Sequence, residues 1–126
     1  TDRTSMPNLP PNASPLRRRM DACRELRDAG HFAVVTVSPL LPIDDPDTFF
    51  AQMAEIADAV VIDHFIQGDG TETGNRTFKT GLPDSMAEID PKSLTLDYRD
   101  TMVEIARRHM PGRVGVSAAG FAGVYE

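Results

Sequence analysis

Three apolar, β-branched runs in this chain end on residues that can bond a ligand. Ser38 follows the first run, Asp63 and His64 close the second, and Ser117 follows the third. Ligands of parallel sheets, open or closed, gather at the C-terminal ends of the strands. These four residues are therefore the candidate binding set, and each has a plainer explanation beside it. Ser38 can cap a turn, and Asp63 or His64 can be a satisfied polar residue at a strand end. Asp63 and His64 are neighbours, so on a strand they face opposite ways and do not form a simple acid–base pair. The other histidines, His31 and His109, fall at helix ends, so no zinc or iron site is expected. A histidine at a helix C-terminus suits the dipole there.

The run after the second strand, IQGDGTETGNRTFKTG, is rich in glycine and carries Asp69, Glu72, Asn75, Arg76 and Lys79. A phosphate-cradling loop needs the Walker spacing and a helix directly after its glycines. A calcium loop needs oxygen ligands at fixed positions and a closing glutamate. The run satisfies neither pattern. In a barrel a long loop after a strand lines the substrate mouth, and Arg76 is then the residue for an anionic ligand group. A solvated loop is the plainer alternative. Cys23 lies on an apolar helix stripe and reads as a buried structural thiol.

The elements that position these residues repeat. Residues 1–13 hold three prolines and little apolar material, which predicts an extended leader. Ser14-Pro15 is a cap and first-turn proline. Leu16, Met20, Cys23 and Leu26 form one helix face, ended by Gly30. Residues 32–37, FAVVTV, read as a strand covered on both faces. Asp45-Pro46 starts a second helix with Phe49, Phe50, Met53, Ile56 and Ala57 inward. Residues 59–65, AVVIDHF, form a second strand, and 67–95 a long polar loop. A third helix over 97–109 turns Tyr98, Met102, Ile105 and Ala106 inward, and a short third strand covers 113–116. Alternating helices and strands predict an α/β fold with parallel strands and flanking helices. Three such units make half of a closed barrel or a small open sheet, with 14–126 as one domain. Unpaired edges are expected at both sides of an isolated half-barrel, and self-association is one way to cover them.

The formal net charge of −6 argues against nucleic acid or an anionic membrane as the main partner. Arg17, Arg18 and Arg19 are read as a solvated helix face. No apolar run approaches the roughly 20 residues of a membrane span. With no signal-peptide pattern at the N-terminus either, a reducing cytoplasm is the expected compartment.

The runs PNASPLRRRMDACRELRDAG, HFAVVTVSPLLPIDDPDTFF and DAVVIDHF, with the closing GRVGVSAAGFAG, resemble the C-terminal half of radical S-adenosylmethionine proteins. The group around spore photoproduct lyase is the most similar. The resemblance covers about residues 7–66 and 96–123. It implies half of a TIM-type barrel whose strand ends hold the methionine and adenosine parts of S-adenosylmethionine. Ser38 would then be a hydrogen-bond donor, Asp63 or His64 would approach the ribose or base, and Ser117 would stand at the third strand end. The departure is at the cluster motif of three closely spaced cysteines. The chain has one cysteine, so no iron–sulfur cluster and no radical chemistry are expected of it alone. The expected role is a fragment or remnant that binds a small ligand at the strand ends or completes a barrel with a partner, a missing N-terminal half or another copy. The alternative is a non-catalytic module that oligomerises through its sheet edges.

Overall fold

The computed structural model describes residues 1–12 and 14–126; Ala13, the last residue of the expected leader, lies outside them. Three strands, β1 (Val34–Val37), β2 (Ala59–Ile62) and β3 (Val114–Val116), form one parallel sheet in the order β1-β2-β3. Among the described residues the α-helices are α1 (Leu16–Asp28), α2 (Pro46–Ile56), α3 (Asn75–Phe78), α4 (Leu82–Ile89), α5 (Leu96–His109) and α6 (Ser117–Phe121). The chain is thus α/β with a three-stranded parallel sheet flanked by helices.

Each strand follows from a short apolar run that must bury itself. All four residues of β2, the central strand, are buried. Val37, Val60, Ile62 and Val114 pack on one face of the sheet against Phe49, Phe50, Met53 and Ile56 of α2 and Met102, Val103 and Ala106 of α5. The predicted inner face of α2 is buried throughout. Its start is also as read, because the Asp45 carboxylate accepts the backbone N–H of Thr48 at 3.1 Å with Pro46 in the first turn. The far end of α2 carries no basic residue of its own. Arg113, just before β3, supplies one, donating to the carbonyls of Ala54 (3.1 Å), Ala57 and Asp58 (2.9 Å).

Several expectations are corrected. α1 begins at Leu16 with no side-chain cap from the Ser14-Pro15 pair. Of its apolar stripe only Cys23 is buried, and Leu26 is 52% exposed. Residues 67–95 are not one loop. They hold α3, α4 and a 3-10 turn at Pro91–Leu94, because Leu82, Met86 and Ile89 find apolar partners in Met6 and Phe65 and form a second, smaller core. Residues 1–12 hold no regular element, yet they pack. Asp2 accepts the N–H groups of Asp44 and Asp45 at 2.9 Å each, and Arg3 pairs with Asp44 at 2.9 Å. β2 stops at Ile62, short of Asp63 and His64. The edges also differ from one another. The outer side of β3 is paired at Val114, which exchanges both backbone hydrogen bonds with Glu126 (3.3 and 2.8 Å), whereas β1 borders no further strand among the described residues.

Candidate ligand site at the strand ends

β1 and β2 end side by side, with Val37 opposite Ile62. The next residues therefore meet across the ladder. The Ser38 hydroxyl donates to Asp63 Oδ2 at 3.4 Å. The backbone holds the pair in place: Asp63 N–H donates to the Val37 carbonyl at 3.1 Å, and Leu40 N–H to the Asp63 carbonyl at 2.8 Å. Asp63 is only 8% exposed, while Ser38 is open to solvent. Among the described residues, the Ser38 hydroxyl is the one donor to that carboxylate. A carboxylate so nearly buried ordinarily accepts two or three bonds, so Asp63 retains capacity for hydroxyl or amino donors of a ligand.

Gly68 shapes this carboxylate's surroundings. A Cβ at that position would lie 2.8 Å from each Asp63 carboxylate oxygen and 2.2 Å from the His64 carbonyl. Only glycine fits so close an approach.

His64 has turned the other way. Its ring is fully buried, with Nδ1 accepting the Ile66 N–H at 3.0 Å. The neutral tautomer then carries its proton on Nε2, which donates to the Ser93 carbonyl at 2.7 Å. Burial pushes the imidazole below its ordinary pKa. Both nitrogens are committed to protein partners, so His64 holds the segment after β2 against the 3-10 turn and offers no free atom to a ligand or a metal. Among the described residues no group of three His, Cys, Asp or Glu side chains could hold a metal ion.

Ser117 stands at the end of β3 with φ 51°. Its hydroxyl accepts from Arg99 Nη1 at 3.5 Å, the long end of the hydrogen-bond range. The same guanidinium pairs with Asp100 at 2.9 Å. Arg76 is exposed on α3, with its guanidinium over Gly70. The structure thus joins Ser38 to Asp63 and gives Ser117 a partner in Arg99, while Arg76 hydrogen-bonds to none of the other candidates among the described residues.

Sequence reasoning missed Arg99 and Gly68, and named Asp69 only as a polar residue of the long loop. Arg99 carried a signal: Leu96, Arg99, Val103 and Ala106 fall on one helical stripe, and Val103 and Ala106 are buried, so an arginine there is out of place unless it serves a polar partner. Asp69 organises the turn before α3, accepting from Thr71 and Thr77 through the backbone N–H and the hydroxyl of each. The Thr71 hydroxyl, the largest of several causes, holds its carboxyl well below the usual carboxylate range. Neither a family model, a curated protein nor a solved structure matches the chain.

Proposed function

We propose that this chain is part of a partial barrel of the radical S-adenosylmethionine type, and that it binds the nucleoside portion of a small ligand at the C-terminal ends of its strands. Asp63 accepts from the ligand's hydroxyl or amino groups, and Ser38 adds a hydroxyl that donates or accepts. Ser117 and Arg99 border the same rim at β3, and Arg76 serves an anionic group at its outer side. His64 sets the path of the backbone and takes no ligand. Proton transfer is not assigned to this role. The chain's one cysteine is buried on α1 with its thiol at 3.5 Å from the Ile56 carbonyl. It does not fit a cluster site, and reductive cleavage of the sulfonium is not assigned to this chain.

The observation that supports this reading is the Asp63 carboxylate, 8% exposed and bonded by a single long hydrogen bond at the junction of two parallel strand ends. Thermal melting with S-adenosylmethionine, adenosine or methionine tests it. A ligand that binds only the folded chain stabilises it by about 2.7 kcal/mol at a hundredfold excess over Kd. S-adenosylmethionine and adenosine are expected to raise Tm and methionine to raise it less, and Asp63→Asn is expected to remove the shift. An unchanged Tm with millimolar S-adenosylmethionine, or an equal shift in Asp63→Asn, overturns the assignment.

A further inference from the structure

The outer side of β1 is a template for another strand. In the parallel ladder Asp63 N–H bonds the Val37 carbonyl and Ala59 N–H the Ala33 carbonyl. Ala33, Val35 and Val37 therefore turn their polar backbone groups toward β2, and Val34 and Thr36 turn theirs outward. Those outward groups have no partner among the described residues. Natural edges are blunted by charge, proline or a bulge. The run Val34-Val35-Thr36-Val37 has neither proline nor charge, and it pairs with β2 without interruption.

Beside this edge α1 stands off the sheet. It packs on α2 through Cys23, and an open groove of about 690 Å³ separates it from β1. Leu16, Met20 and Leu26 of α1 line the groove opposite Val35 and Val37, with Met53 and Ile56 of α2 at its floor. A strand laid along β1 points every second side chain into this groove. That explains why the apolar stripe of α1 is left half uncovered. Arg19 is the only charged side chain lining the groove, and it has no ion-pair partner among the described residues. Arg17 and Arg18 extend the positive charge along the same helix.

We propose that the β1 edge and its groove take up an extended segment of another polypeptide as a fourth strand. That segment is apolar at alternate positions and carries a carboxylate that meets Arg19. Charge and shape select this occupant over a second copy. Pairing β1 with itself across a two-fold axis sets both α1 helices on the same face of the joint. The two overhanging helices then compete for one space, and the partner's β1 run, VVTV, brings no carboxylate to Arg19. A strand with a carboxylate meets neither obstacle. Main-chain bonds supply affinity in this mode of recognition, and the alternate side-chain pockets supply selectivity. The groove meets the ligand rim at Ser38, which lines both, but strand pairing along β1 uses neither Asp63 nor Ser117.

The test uses an acetylated, amidated heptapeptide, Asp-Thr-Val-Thr-Val-Thr-Asp, whose aspartates and valines share one face, and its counterpart with lysine at both ends. Binding is followed by titration and by residue-resolved amide exchange. The aspartate peptide is expected to bind saturably and to slow exchange at the Val34 and Thr36 amides. Thr36→Pro, which removes an outward donor and no bond to β2, is expected to weaken it by about tenfold. Arg19→Glu is expected to prefer the lysine peptide. Should Thr36→Pro not fold, the Arg19→Glu preference and the wild-type exchange pattern decide. No change at the Val34 and Thr36 amides with millimolar peptide overturns the proposal. So does a dimer in which those amides are already protected without peptide.

Discussion

His64 is a residue whose burial has a consequence for pH. Its imidazole is held neutral by burial, and protonating Nδ1 would set an N–H against the Ile66 N–H that now donates to it. Its folded pKa lies below the unfolded value of roughly 6.5, so the unfolded chain takes up the proton first. The stability it contributes is complete above that value and is lost as pH falls from there toward the folded pKa. Melting between pH 8 and 5 is expected to show Tm falling on the acid side, with a shallower fall in His64→Gln. Equal slopes in the two proteins would show that the ring does not carry this dependence. Asp63 beside it has the opposite character, a nearly buried acceptor with bonding capacity left over. The adjacency of the two residues was plain from the sequence. Which of them turns inward was not, because the partner of His64 is Ser93, 29 positions away.

At the scale of elements, the junction of β3 and α6 depends on two glycines in contact. A Cβ on Gly120 would lie 2.6 Å from the Gly115 carbonyl carbon and 2.9 Å from Val61 Cγ1, and one on Gly115 would lie 2.5 Å from Gly120 Cα. The first and third of these neighbours are backbone and have little room to yield. Gly120→Ala is expected to cost about 1–3 kcal/mol, the usual penalty of overpacking, read as a lower midpoint in urea. A wild-type midpoint would mean that α6 moves freely off the sheet. The sequence reading put Gly115 inside the third strand and showed nothing of its contact with Gly120. The elements it showed well are those whose signal is local. The apolar stripe and Asp45-Pro46 start of α2, and the run of α5, depend on residues within a few positions of one another. The helices inside 67–95 were missed because α3 has four residues and α4 eight, too short for an apolar period to stand out among their polar neighbours.

At the scale of the molecule, two apolar clusters share the chain. The larger lies between the sheet and α1, α2 and α5, and the smaller gathers Met6, Phe65 and Met86. Met6, 8% exposed, ties the N-terminal segment into the second cluster. Met6→Ala is expected to cost about 2 kcal/mol, at the low end for a buried methionine, and to speed proteolysis within residues 1–12. Unchanged melting together with unchanged proteolysis would show that this segment rests on the surface without adding to the fold. No helix among the described residues is long and apolar enough to cross a membrane.

The residue pattern alone determined that helices and strands alternate, that the strands run parallel, and where α2 and α5 lie. Hydrophobic period and capping chemistry act over a few residues and need no knowledge of the rest of the chain. Tertiary structure decided the rest: the meeting of Ser38 with Asp63, the withdrawal of His64, the partnering of Ser117 by Arg99, the covered edge of β3 and the open edge of β1. Each depends on which distant segment arrives to satisfy a backbone or side-chain group, and that is settled only when the sheet and its helices have packed.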